Sequence, residues 1–263
     1  MRKLIICFQL IACFNSYMGQ QYWQQNIKYD MSIDFDVSKH QFSGLQKITY
    51  YNNSPESLST LYMHLYYNAF QPGSMMDVRS RTIEDPDSRV RDRISKLSSN
   101  DIGFQKIKSV KDGNGNSLSF DEDGTILEIK LNKPLKSGKQ IKLQVDFLAQ
   151  VPVQIRRTGR YNKENVAYSM TQWYPKMCEF DKHGWHTNPY IGREFYGVWG
   201  DFKVSINIDS SFILGGTGII QNPQEVGHGY QDFSKKINLV IFQRISLSQF
   251  RDNLIISRDY NIW

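Results

Sequence analysis

The sequence predicts an all-β protein, an antiparallel β-sandwich or saddle carrying one short helix. Three observations lead there. Apolar and polar side chains alternate with period two in stretches too short to be buried helices. Turns rich in Asn, Gly, Asp and Ser separate those stretches at fairly regular spacing. The 263 residues are 40% hydrophobic and 22% charged, which excludes a disordered, collagenous or coiled-coil chain and leaves enough length for a real core.

The elements follow in order. Residues 28–37 place Tyr29, Met31, Ile33, Phe35 and Val37 on one face and Lys28, Asp30, Ser32, Asp34 and Asp36 on the other, the pattern of a half-buried strand. Ser38 to Gln41 reads as a turn and Phe42 to Tyr51 as the hairpin partner, which Asn52-Asn53-Ser54-Pro55 breaks. Leu61, Met63 and Leu65 alternate again. Val90, Ile94 and Leu97 share one helical face after Asp85-Pro86-Asp87, so the short helix is expected over Arg89 to Ser98. The alternating charges from Arg79 to Arg93 read as its solvated surface rather than as an anion site. Asp121-Glu122-Asp123-Gly124 is too short for a calcium loop and suits a hairpin turn. Strands are expected through Leu127–Leu131, Ile141–Phe147 and Phe202–Ile208, and Gly215-Gly216-Thr217-Gly218 reads as a strand-end turn. There is no internal repeat and no linker.

The first residues are expected to lie outside the fold. Met1-Arg2-Lys3, the apolar run Leu4–Phe14 and the small or polar Asn15, Ser16 and Gly19 form a secretory signal over residues 1–19. Export to the periplasm or beyond the cell is the expectation. The alternative is a lipoprotein anchored through Cys13, since Ala12 stands before it. No other stretch is apolar and long enough to span a bilayer as a helix. Removing the signal would leave Cys178 without a partner for a disulfide. It would also lower the formal charge of +6 to +4 by loss of Arg2 and Lys3, too little and too scattered to argue for nucleic acid.

No catalytic motif is present: there is no His-Glu-x-x-His, no Gly-x-Ser-x-Gly and no phosphate loop. The richest stretch is 168–200. Cys178, Glu179, Asp181, His183 and His186 crowd together there, but at spacings that match no closed zinc signature, so no metal ligand is assigned. Trp173, Tyr174, Trp185, Tyr190, Phe195, Tyr196 and Trp199 fit either a platform for a glycan or peptide or a loop packed on a sheet. Composition leaves both open.

Several blocks fall in an order that resembles one family. They are Trp23-Gln24-Gln25, Tyr50 to Pro55, His64 to Pro72, Gln172-Trp-Tyr-Pro-Lys176, Gly184-Trp-His186, Arg193-Glu-Phe-Tyr196, Gly200-Asp-Phe202 and Gly216-Thr-Gly218. From about Tyr22 to about Gly229 the chain resembles the N-terminal domain of exported bacterial zinc metalloaminopeptidases of the aminopeptidase-N family, the gluzincins. The resemblance implies a saddle-like β domain over residues 20–235. It also implies a missing thermolysin-like catalytic domain that carries the zinc ligands and general base, and a peptide substrate. Within this chain it implies neither a catalytic residue nor a cofactor. By similarity Gln172 is the residue that helps hold the substrate's free amino group. Glu179 is the second candidate, standing for the acidic partner found in some relatives.

Residues 236–263 depart from the family pattern, and Ser246 to Trp263 has no counterpart in it. A frameshift or premature stop is one reading, a stand-alone domain another. Two functional readings follow: the non-catalytic part of a zinc aminopeptidase, inactive alone, or an exported module binding peptide or glycan through the aromatics of 173–199. An enzyme built on Cys178 with His183 or His186 is a third and needs spatial contact that spacing does not show.

Overall fold

The computed structural model describes residues 22–192, 195–219, 221–222 and 253–258. The expected signal 1–19 with Cys13, the block residues Arg193 and Glu194, and tail residues 236–252 and 259–263 lie outside the described residues. The described residues are 48% strand and 8% helical, the all-β sandwich that the alternation predicts.

One sheet has the order β13-β1-β2-β7-β4, built from β1 (Asn26–Asp36), β2 (Gln41–Asn52), β4 (Phe104–Asp112), β7 (Lys139–Gln150) and β13 (Trp199–Asn207). A second has the order β10-β3-β6-β5, from β3 (Leu58–His64), β5 (Phe120–Asp123), β6 (Ile126–Leu135) and β10 (Lys176–Met177). The hairpin of β11 (Phe180–Asp181) and β12 (Gly184–Trp185) stands apart. A third four-stranded sheet runs β14-β15-β9-β8, from β8 (Gly159–Arg160), β9 (Tyr168–Thr171), β14 (Phe212–Gly216) and β15 (Asn253–Arg258). The ladders are antiparallel except that β13 runs parallel to β1, from Asn26↔Trp199 to Asp34↔Asn207.

Period two explains the core. Ile27, Tyr29, Met31, Ile33 and Phe35 are all buried along β1, and the register sets them opposite Tyr50, Ile48, Gln46, Gly44 and Phe42 of β2. The next strand continues the face with Leu143, Val145, Phe147 and Ala149. Each such aliphatic or aromatic side chain contributes about 1.5–3 kcal/mol on burial. Gly44 is required where it stands: a Cβ there would lie 2.3 Å from the Phe147 ring, so its absence is what lets Phe147 cross the face. Leu58, Leu61, Met63, Leu127 and Ile129 face this layer from β3 and β6.

The short helix is not where the sequence places it. The α-helix α1 spans Met75–Thr82, and Arg89–Ser98 is a run of turns with a 3-10 turn at Ile94–Lys96. The apolar spacing there is nevertheless real, because Val90 and Ile94 are buried. Helix α1 instead starts on a reciprocal cap: Ser74 Oγ accepts from the Asp77 N–H at 3.2 Å and Asp77 accepts from the Gly73 N–H at 2.8 Å. Within Arg89–Ser98 the left-handed Arg91, at φ 42°, interrupts any continuous helix. The predicted hairpin forms, but its turn is at Gly124–Thr125, with Gly124 at φ 55°, while Asp121 to Asp123 belong to β5.

Candidate functional site

The segment from Thr171 to His186 crosses between the two main sheets, held by two polar side chains planted in apolar faces and by backbone pairing with β3. Gln46, fully buried on β2, donates from Nε2 to the Pro175 carbonyl at 3.1 Å. The Tyr29 hydroxyl on β1 accepts from the Met177 N–H at 2.9 Å. On the other side Lys176 and Met177 pair with His64 and Met63, and the Cys178 N–H donates to the Tyr62 carbonyl at 2.9 Å. Buried polar groups favour partners, and Gln46 Nε2 and the Tyr29 hydroxyl find theirs in the backbone of the crossing, while Gln46 Oε1 has none.

Gln172 opens the crossing. It follows β9 directly, adopts φ 54° and is 4% exposed. Its Oε1 is buried and accepts no hydrogen bond. Glu179 lies between β10 and β11 and is 5% exposed. Burial pushes its carboxyl up to about 7, against the Phe180 N–H that favours the ionised form and with a smaller push from Asp181. The Tyr50 hydroxyl is likewise buried without a partner, and burial, followed by the Glu179 charge, raises its pKa. No hydrogen bond joins Gln172 to Glu179. The two are separate acceptors on one crossing.

A second group forms around the β11–β12 hairpin. The His186 N–H donates to the Glu179 carbonyl at 2.9 Å. His186 Nε2 lies 2.9 Å from Asp181 Oδ2, a close ion-pair distance outside the angular range of a hydrogen bond. The Tyr196 hydroxyl donates to the same carboxylate oxygen at 3.1 Å. His183 sits at the hairpin turn, its N–H donating to Asp181 at 2.8 Å. Beneath the hairpin, His64 is 5% exposed with Nδ1 unpartnered. Burial, with Lys176 and His186 adding, lowers its pKa to about 4.

Of the five potential ligands between Cys178 and His186, the structure thus brings Asp181, His186 and the Glu179 backbone together and leaves Cys178 buried and reduced. Burial raises the Cys178 thiol well above its ordinary pKa, the opposite of an activated nucleophile. Among the described residues no three His, Cys, Asp or Glu side chains are grouped to hold a metal ion. Most of the aromatics pack on one another and on the sheets. Trp173 and Tyr174 are buried, Trp173 lies edge-on to Phe42 and Tyr174 edge-on to Tyr29. Trp185 packs on Tyr50, Tyr62 and Phe180, and Tyr190 on Tyr66 and Phe195. Tyr196 stays half exposed.

Sequence reasoning did not single out Tyr50 and His64 as neighbours of the candidate residues. The available signal was their position at the head of two of the recurring blocks.

No family model and no curated protein matches the sequence. Among solved structures, the chain is similar to an M1 zinc metallopeptidase of Deinococcus radiodurans bound to a Tyr-Ser-Ala substrate, at 12% identity and TM-score 0.40, over 75% of this chain and 35% of that one. It is also similar to a two-domain M1 zinc metallopeptidase bound to L-tryptophan, at 14% identity and TM-score 0.41, over 75% and 36%. The chain spans about a third of the length of the structures it matches.

Proposed function

We propose that this chain is the non-catalytic N-terminal part of a zinc aminopeptidase, in which Gln172 and Glu179 help hold the free amino group of a peptide. The observation that carries the reading is the buried, unpartnered Gln172 Oε1. Leaving a buried acceptor unpaired costs about 1–3 kcal/mol. An ammonium group is a pure donor with three N–H bonds, and it would satisfy this oxygen. The ordered sequence blocks from Trp23 to Gly218 support the family assignment independently of the site.

The residues present do not fit a zinc ion. The sequence has no His-Glu-x-x-His, and the described residues hold no suitable cluster. The chain's own part would be to bind and orient the peptide's N-terminus through Gln172 and Glu179. Zinc and the general base would belong to a thermolysin-like partner domain, and the chain would be inactive alone. Export through residues 1–19 belongs to the same reading.

Two measurements test it. The purified chain should not release p-nitroaniline from aminoacyl p-nitroanilides, with or without added zinc; turnover above buffer would refute the inactivity. A tripeptide with a free N-terminus should perturb the NMR signals of Gln172 and of the Glu179 region, and its N-acetylated form should not. Equal responses to both would remove the amine contact.

A further inference from the structure

The gap between β9 and β14 is filled from far along the chain. β15 pairs antiparallel with β14 from Phe212↔Arg258 to Gly216↔Leu254. It also pairs antiparallel with β9 from Asn253↔Thr171 to Ile256↔Tyr168. Among the described residues β14 has no other strand partner, and β9 has only the two-residue β8 besides. Without β15, both strands would present unpaired backbone edges, which fold stably only when covered.

The filled gap borders an unusual position. The β15–β9 ladder ends at Thr171, and the next residue is Gln172 at φ 54°. A non-glycine residue keeps that conformation only where its surroundings enforce it. On one side Thr158 Oγ1 accepts from the Thr171 N–H at 3.1 Å. On the other side stands Asn253. The turn into the crossing is gripped from both flanks.

We infer that the gap between β9 and β14 is a strand-acceptor site, that its occupant is the chain's own segment Asn253–Arg258, and that this strand positions Thr171 and Gln172. The ligand chemistry is an extended backbone donating and accepting on both edges, as in strand addition to an open sheet. The inference stands whether or not Gln172 meets a peptide amine.

Ser169 and Ile255 are direct partners in the ladder, and facing antiparallel residues bring their Cβ atoms within disulfide reach. In the full chain, mild oxidation of Ser169→Cys with Ile255→Cys is expected to link the two within one molecule, read from the mass of the joined tryptic peptides. Ser169→Cys with Ser257→Cys, two register steps away, is expected to stay reduced. Failure of the first pair to link overturns the site, and a disulfide-linked dimer overturns the assigned occupant. Ile255→Pro removes a ladder N–H and disfavours the strand. Amide exchange over 168–172 and 212–216 should then be at least tenfold faster, with 26–36 and 139–150 unchanged. Unchanged exchange at 168–172, or equal loss in every strand, overturns the positioning role.

Discussion

The β1–β2–β7 layer and the irregular stretch from Pro152 to His186, which ends in the crossing, are built on opposite principles. The first runs in unbroken register across three strands, each residue's face fixed by its place in the alternation. The second has strands of two to four residues and four of the six non-glycine residues with positive φ among the described residues, namely Arg156, Tyr161, Asn165 and Gln172. It is held by isolated side chains. Arg160 donates to the Val151 and Asn100 carbonyls at 2.7 Å each, and Thr158, Gln46 and Tyr29 grip the rest. A regular layer needs only the right polarity at each step. An irregular one needs particular residues, and here it is where unsatisfied and strained groups collect, as functional sites require.

The largest effect should therefore come from the regular layer. Phe147 is fully buried and fills the room that Gly44 leaves. Phe147→Ala should cost about 4 kcal/mol in chemical denaturation. A loss under about 1.5 kcal/mol would show that the layer is looser than its register implies.

Titration probes the crossing next. His64 is buried neutral with its pKa lowered to about 4 from 6.5. As pH falls below 6.5 the unfolded chain takes up a proton that the folded chain refuses, so stability is lost between pH 6.5 and 4, by about 3 kcal/mol at most. His64→Gln should flatten that limb of the stability profile, and an unchanged limb would mean that His64 is not the group responsible. Glu179 works in the other direction. Its carboxyl is raised from 4.5 to about 7, so the unfolded chain releases a proton that the folded chain keeps. Stability then falls as pH rises from 4.5 to 7, by about 2 kcal/mol after allowance for solvent screening. Glu179→Gln should be the more stable chain at pH 8 and gain little at pH 4.5. Equal stability at pH 8 would place the carboxyl in water.

The same contrast decides what could be read from the sequence. Alternation located β1, β2, β3, β6, β7 and β13, because burial on one face imposes period two over enough residues to be seen. It missed β4, whose register shifts between Ile107 and Ser109, and β8 to β12, which are only two to four residues long. The helix was expected at Arg89–Ser98 because apolar spacing is visible there, whereas the reciprocal cap of α1 spreads over Gly73, Ser74 and Asp77 and leaves no apolar stripe. Gln172 and Glu179 were reachable only through resemblance. Nothing local marks a glutamine whose oxygen ends up buried and unpaired, or a glutamate that the fold dries out. The aromatics of 173–199 were visible as a group, but whether they face solvent or core depends on which strands the crossing meets.

The smallest expected change in stability is at Gln172, and it is the most informative. A left-handed backbone costs a non-glycine residue about 1–2 kcal/mol, and its buried oxygen pays a further penalty while unpaired. Gln172→Gly removes both, and against them stands the greater freedom that glycine gives the unfolded chain, up to about 1 kcal/mol. The variant should be as stable as the parent or more stable by about 1 kcal/mol in thermal and denaturant unfolding. A residue kept for structure behaves otherwise, since truncating a buried structural side chain destabilises by 2 kcal/mol or more on the usual scale, roughly. Neutral or raised stability, together with loss of the distinction between free and acetylated peptide N-termini, would mark Gln172 as a binding residue held in strain. A loss of about 2 kcal/mol with peptide discrimination intact would make it a structural part of the crossing and return the site to Glu179 alone.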